Sequence, residues 1–172
     1  MADGLFMLGA GQPEAEVIQL DFSVPKPGSA WRETWRLRDG SDPATVSEMD
    51  LRYKYFGAQV DFAIDDMTVI SKVGHVTLVD LALALRHAEG RLSSGEDAAF
   101  GFTESSKVVR LEGPGPVISV RPSVSSESAQ VSRQQLVPAL ATFRESVYQR
   151  LIVEVPGLEG NPTIQKLRSP AS

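Results

Sequence analysis

The sequence predicts an α+β fold, an antiparallel sheet of about six or seven strands with two amphipathic helices packed on one face. Short segments alternate polar and apolar residues, glycine and proline cluster between them, and two longer segments repeat leucine at helical spacing. A chain of 172 residues is long enough for one domain with a sizeable core. We expect a flexible tail over 1–16, a single domain over 17–156 and a lightly held tail over 157–172.

The first two strands are predicted before residue 40. Residues 17–22 alternate as a strand that ends at the prolines and glycine of 25–28. Residues 31–38 alternate again and place Trp31 and Trp35 on the same side as Leu37, which favours a core position for both rings. The alternative is that one tryptophan is exposed and anchors a partner, since interface hot spots are rich in tryptophan.

The clearest strand pattern covers residues 46–65. Apolar and charged residues alternate on both sides of Gly57, which predicts two antiparallel strands around a turn or bulge. The inward residues of these strands and of the later ones should form the core with the helices: Leu51, Tyr53, Phe62, Ile64, Phe100, Val109 and Ile118.

Two helices follow from the leucine spacing. Thr77 can cap a helix to about Leu92, with Asp80 and His87 on the face opposite the leucine stripe. Residues 132–135 read as a capping box that opens a second helix to about residue 154, in which Pro138 should cause a kink or delay the start.

Short strands are predicted between the helices, at 98–103, 107–112 and 117–121. Their connections are short enough for a meander. A serine-rich connector over 123–132 then leads into the second helix.

The charge of the chain is concentrated in one segment. The net charge is −5, and residues 39–66 hold seven acids against two bases, so the other 144 residues are neutral as a group. Strand alternation would place the acids on a wet face, where they either keep the protein in solution or dock a basic protein. The predicted partner-binding residues are Glu48, Asp50, Asp61, Asp65 and Asp66.

Composition excludes several classes of function. The absence of cysteine excludes disulfides, thiolate catalysis and iron–sulfur clusters, and two histidines cannot build a histidine-rich metal site. The longest nearly apolar run is far shorter than the roughly 20 residues of a membrane span, and the N-terminus carries an acid where signal peptides carry bases. A net acidic chain without a basic block argues against nucleic acid. We therefore expect a cytoplasmic protein with no cofactor, metal, membrane or nucleic-acid partner.

Candidate catalytic residues do not form a constellation. Asp80 and His87 lie seven residues apart, roughly 10 Å along a helix, and so do not touch. Asp61 and Asp65 would be roughly 13 Å apart on a strand, too far to share one ion. His75, just before the first helix, is either a half-buried connector or the partner of an aspartate, which leaves a small-ligand or enzyme pocket near His75 as one hypothesis.

The layout of residues 46–155 resembles the small α+β immunity-type proteins of bacterial toxin systems. A strand-rich half precedes a leucine-rich helix ending in RLSSG at 91–95, then come the strands FGF at 100–102, VVRL at 108–111 and VISV at 117–120, and a closing amphipathic helix. The resemblance implies a non-catalytic inhibitor with an acidic partner-facing surface. It carries over no contact residues, because no motif aligns them.

The leading hypothesis is therefore a non-enzymatic protein-binding module, an inhibitor or immunity protein that docks a basic partner. The first alternative is a structural or adaptor subunit of a larger assembly that docks through Trp31, Trp35 or a sheet edge, and the pocket near His75 is the second. The oligomeric state is left open.

Overall fold

The fold is α+β, as predicted, but its strands form two antiparallel sheets of four strands each. The computed structural model describes residues 17–169, so the predicted N-terminal tail over 1–16 lies outside the described residues. The prediction of one sheet of six or seven strands is wrong. Strand alternation shows which residues share a face, but it does not show which strand edges meet.

The first sheet contains β1 (Ile18–Ser23), β2 (Gly57–Ile64), β3 (Met67–Ile70) and β4 (Val76–Thr77). β2 lies between β1 and β3, and its first two residues pair with β4. The second sheet is the predicted meander with one strand added: β5 (Ala98–Phe102), β6 (Ser105–Glu112), β7 (Val117–Pro122) and β8 (Ala129–Ser132). β8 lies in the serine-rich connector, where no strand was predicted.

The part of the chain that the structure describes also contains four α-helices: α1 (Glu48–Tyr53), α2 (Leu78–Ser93), α3 (Arg133–Glu154) and α4 (Pro162–Arg168). α2 and α3 match the two predicted helices, and each follows the last strand of its sheet without a linker. The Ser132 hydroxyl accepts the Gln135 N–H at 3.1 Å and so caps α3. Pro138 is exposed and does not delay the helix, which begins at Arg133.

Two predicted strands are helical instead. Residues Ala30–Trp35 form a 3₁₀ helix opened by the Ser29 hydroxyl, which accepts the Trp31 N–H. α1 replaces the first half of the 46–65 pattern and is capped in the same way by Ser47. Residues two apart on a helix lie about 200° apart, so of the alternating apolar residues in α1 only Leu51 is buried. Tyr53 is 44% exposed, against the expectation that it joins the core.

The core lies between the helices and the two sheets. α2 and α3 pack against each other, α2 also contacts β5, and α3 contacts β1 and β8. The other residues predicted to point inward are buried: Leu51, Phe62, Ile64, Phe100, Val109 and Ile118.

Residues 158–168 pack into this core, so this part of the predicted tail over 157–172 is not lightly held. A 3₁₀ turn at Leu158–Gly160 leads into α4, and Leu158, Ile164 and Leu167 have no exposed surface. The Asn161 side chain fixes the segment, since its Oδ1 caps α4 at Thr163 N and its Nδ2 donates to the backbone oxygens of Pro43 and Val46.

Candidate functional site

Two negative charges face each other on the outer face of the first sheet. The register of β1 and β2 sets Asp21 directly opposite Asp61, and both side chains point away from the buried face. Side chains that face each other in this way have Cβ atoms about 4.5–5.5 Å apart. Two carboxylates therefore lie side by side, on a face whose neighbouring residues Gln19, Ser23 and Gln59 carry no charge.

No base neutralises this pair within the described part of the chain. Asp61 accepts a hydrogen bond from the Gln19 side-chain amide at 2.9 Å, and neither Asp21 nor Asp61 takes part in an ion pair among residues 17–169. Glu112 on β6 differs, because it forms an ion pair with Arg121, its diagonal neighbour on β7. Like charges placed directly opposite destabilise a sheet, so the Asp21–Asp61 pair opposes folding.

The hairpin between β2 and β3 adds two more carboxylates at the end of the same strand. Asp65 has a φ of 51°, a left-handed conformation that aspartate adopts more readily than most residues. Its Oδ1 accepts the Val17 N–H at 2.9 Å and its own N–H donates to the Val17 oxygen, which ties down the start of β1. Asp66 is exposed. We call Asp21, Asp61, Asp65 and Asp66 together the acidic sheet face.

Glu48 and Asp50 do not belong to this face, which corrects the predicted set of five. Both lie on α1, because the segment is a helix and not a strand. Glu48 accepts hydrogen bonds from Arg52 at 3.2 Å and from Lys166 at 3.0 Å, and Asp50 pairs with Lys54 at 3.1 Å. Their charges are thus neutralised locally.

The contacts of Glu48 also shift the pKa of its carboxyl group. The hydrogen bond from Lys166 lowers the pKa of Glu48 below its ordinary value of 4.5, and Arg52 adds to this effect while partial burial opposes it. A carboxyl group whose pKa is lower in the folded than in the unfolded protein stabilises the fold at pH values above its ordinary pKa. That contribution is lost as the pH falls through the lowered pKa.

Replacing Glu48 with glutamine should therefore lower the free energy of unfolding at pH 7 by about 0.5 kcal/mol, the range of exposed ion pairs. The difference from wild type should shrink as the pH falls from about 4.5 downward, since the wild-type carboxyl then becomes neutral as well. Urea unfolding at a series of pH values measures it. Glu127→Gln is the control, because Glu127 is exposed and makes no ion pair within residues 17–169. A constant difference across the pH series would contradict the assignment.

Comparisons with known proteins do not extend this description. No family model matches the chain, and no curated protein or solved structure shows significant similarity to it.

Asp21 is the member of the acidic sheet face that is absent from the predicted partner-binding set. The alternation of β1 puts it on the wet face with Gln19, and that signal was present in the sequence. Its pairing with Asp61, 40 residues away, depends on the register of β1 with β2, and no local pattern gives that register.

The two tryptophans, predicted to share one side, have different environments. Trp35 is 3% exposed and its indole Nε1 donates to the Gly57 oxygen at 2.8 Å. Trp31 is 42% exposed, and its ring covers Gly57 so closely that a Cβ at Gly57 would lie 2.6 Å from Trp31 Cε3. Trp35 is a core residue, so only Trp31 can contribute surface to an interface.

Among residues 17–169, neither histidine forms a hydrogen bond or an ion pair with an aspartate. His75 is half-buried, and its ring stacks on Trp31 with centroids 4.4 Å apart and planes 6° from parallel. His87 is exposed, whereas Asp80 is buried, contrary to the prediction that both lie on a polar face. Asp80 accepts hydrogen bonds from Arg52 at 2.8 Å and from the Thr103 hydroxyl at 2.6 Å, so it is a structural carboxylate.

Two further classes of site are absent from residues 17–169. No three His, Asp or Glu side chains converge as a set of metal ligands in that part of the chain. No helix there is long and apolar enough to cross a membrane.

Proposed function

We propose that this chain is a non-enzymatic protein-binding module that docks a basic partner through the acidic sheet face. The observation that carries the proposal is the Asp21–Asp61 pair, two facing carboxylates without a base among the described residues. A lysine or arginine of a partner placed between them would relieve their repulsion and gain two charge-assisted hydrogen bonds.

The surrounding surface supports docking by charge. Several acids on other elements are paired with bases, as Glu48, Glu89 and Glu154 are, whereas Asp21 and Asp61 make no ion pair among residues 17–169. Clustered charge steers a partner of opposite sign and raises its association rate, more than it raises the final affinity. An inhibitor of a basic enzyme or toxin is the class of protein that uses such a surface, and it is the class that the sequence resembles in layout.

The test uses Asp21→Lys, for which stability and binding should move in opposite directions. The change converts a like-charge pair into an opposite-charge pair and should raise the free energy of unfolding by about 0.2–1 kcal/mol. Wild type should capture the basic partner from a lysate of the native host at low salt. It should release that partner at about 0.5 M salt, where the Debye length is roughly 4 Å. Asp21→Lys should fail to capture it at low salt. Chemical unfolding and quantitative mass spectrometry of the captured proteins give the two readouts.

Asp39→Lys is the matched control, because Asp39 is exposed, makes no ion pair among residues 17–169 and lies outside the acidic sheet face. It changes the net charge by the same amount and should retain the partner. Equal capture by wild type and Asp21→Lys, or equal loss with both variants, would refute docking at this face.

A further inference from the structure

A cavity of about 480 Å³ lies where the two sheets approach each other. Its walls come from β3, the loop that follows it through His75, the hairpin of β5 and β6, and the end of β7. This volume is in the range of roughly 300–1,000 Å³ that is typical of small-molecule sites. None of the four aspartates of the acidic sheet face lines it.

Hydrogen bonds fix the walls of the cavity in place. The Glu104 carboxylate accepts the Thr77 N–H at 3.2 Å and the Thr77 hydroxyl at 2.7 Å, which ties the β5–β6 hairpin to the start of α2. On the other side Ser123 and Val108 are joined twice, by Val108 N to the Ser123 hydroxyl at 3.0 Å and by Ser123 N to the Val108 oxygen at 2.8 Å. A preformed site loses less conformational entropy when a ligand binds.

The interior of the cavity is mainly apolar. Strand residues from both sheets supply its apolar side chains, and they include Val69, Ile70, Phe102, Val108 and Val109. Val69, Ile70 and Val109 are almost fully buried, so they form the floor and not the rim. An apolar ligand body would fill this space.

One positive side chain at the cavity is without a partner. Lys107 lines the cavity, is exposed, and its ammonium group makes no hydrogen bond or ion pair among residues 17–169. Glu104 also lines the cavity and is negative, but its carboxylate already accepts two hydrogen bonds from Thr77, just before α2. His75 presents a ring already stacked on Trp31. The Lys107 ammonium is therefore the charged group that is available to the polar end of a ligand.

We infer that this cavity binds a small amphipathic carboxylate, with the apolar body between the sheets and the carboxylate on Lys107. Pockets of this kind combine apolar walls with a few polar groups that orient the ligand. A hydrogen bond between an ammonium and a carboxylate is among the stronger protein–ligand contacts. This site is independent of the acidic sheet face and of the protein partner proposed for it.

Decanoate, used below its micelle concentration, is the probe. It should bind with one-to-one stoichiometry by calorimetry and should change the emission of Trp31, whose ring lies against the cavity residue His75. The emission change should be absent in Trp31→Phe, which should still bind in the calorimeter. Lys107→Glu should weaken decanoate binding by about tenfold or more, the contribution of a charged hydrogen bond. Decanol has the same apolar chain without the carboxylate, so it should bind wild type more weakly than decanoate does and should bind Lys107→Glu as it binds wild type.

Lys26→Glu is the control, because it makes the same change of charge at an exposed loop residue that does not line the cavity. It should bind decanoate as wild type does, and thermal melts should show that all variants fold. Absence of saturable decanoate binding would overturn the inference. So would equal affinity for decylammonium, or an unchanged decanoate affinity in Lys107→Glu.

Discussion

Replacing Arg144 with methionine should lower the free energy of unfolding by about 3–5 kcal/mol, the effect of removing one partner of a buried ion pair. Arg144 lies on α3 and is 5% exposed, and its Nη2 donates to both carboxylate oxygens of Glu89 on α2 at 2.8 Å. Its Nη1 donates to the Leu167 oxygen at 2.7 Å and to the Ser169 oxygen at 3.2 Å. The substitution would leave a buried carboxylate and a buried carbonyl group without these donors.

Urea unfolding of the variant and of wild type at pH 7 measures this loss. Arg110→Met is the control, because Arg110 is exposed and makes no ion pair among the described residues, and it should stay within about 0.5 kcal/mol of wild type. Arg144→Lys should fall between the two, since lysine keeps the charge but cannot form the two-pronged contact. The double variant Glu89→Leu with Arg144→Met should recover much of the loss, because it leaves no buried charge unpaired. Equal stability of Arg144→Met and Arg110→Met would show that the pair does not matter.

This ion pair also shows what the sequence could predict of the fold. Leucine spacing and the predicted caps at Thr77 and Ser132 gave α2 and α3 within one residue of their observed ends, because these signals are local in the sequence. The same spacing cannot show that Glu89 and Arg144, 55 residues apart, face each other in the α2–α3 contact. Only the packing of the two helices makes two charged residues part of the core.

Two segments before β2, Ala30–Trp35 and α1, are helical although strands were predicted there, and the reason is local. Alternation over six residues fits a strand and also fits a short helix with one buried residue, here Leu51. The deciding signals were the caps at Ser29 and Ser47, whose hydroxyls accept the first free N–H groups. Those serines are visible in the sequence, whereas the close contact between Trp31 and Gly57 is not.

The candidate site was predicted in part for related reasons. Asp61 was placed correctly on a wet strand face, because the period of two holds throughout β2. Glu48 and Asp50 were assigned to the same face on the assumption that the strand began earlier, and the helix removes them. Asp21 is equally negative but lies outside residues 39–66, where the acids are concentrated, so the charge count does not indicate it.

Replacing Leu167 with alanine should be the second large effect, a loss of about 2–5 kcal/mol of unfolding free energy. Leu167 has no exposed surface, and α4 packs on α2 and α3, so the shortened side chain would leave a cavity among residues of three helices. A lightly held C-terminal tail would give no measurable change. The buried position and the tail interpretation thus predict opposite results for one substitution.

Gln165→Ala on the exposed side of α4 is the matched control, because it removes side-chain atoms and one exposed hydrogen bond to the Glu159 oxygen from the same helix without opening a cavity. It should change the stability by about 0.5 kcal/mol or less. The two variants can be compared further by amide hydrogen exchange. In wild type the backbone amides of α4 should exchange together with those of α3, because Arg144 on α3 donates to the Leu167 oxygen. In Leu167→Ala the amides of α4 should exchange earlier than those of α3. If α4 already exchanges before α3 in wild type, the segment is a separate, weaker unit, and the large loss predicted for Leu167→Ala would have to arise elsewhere in the core.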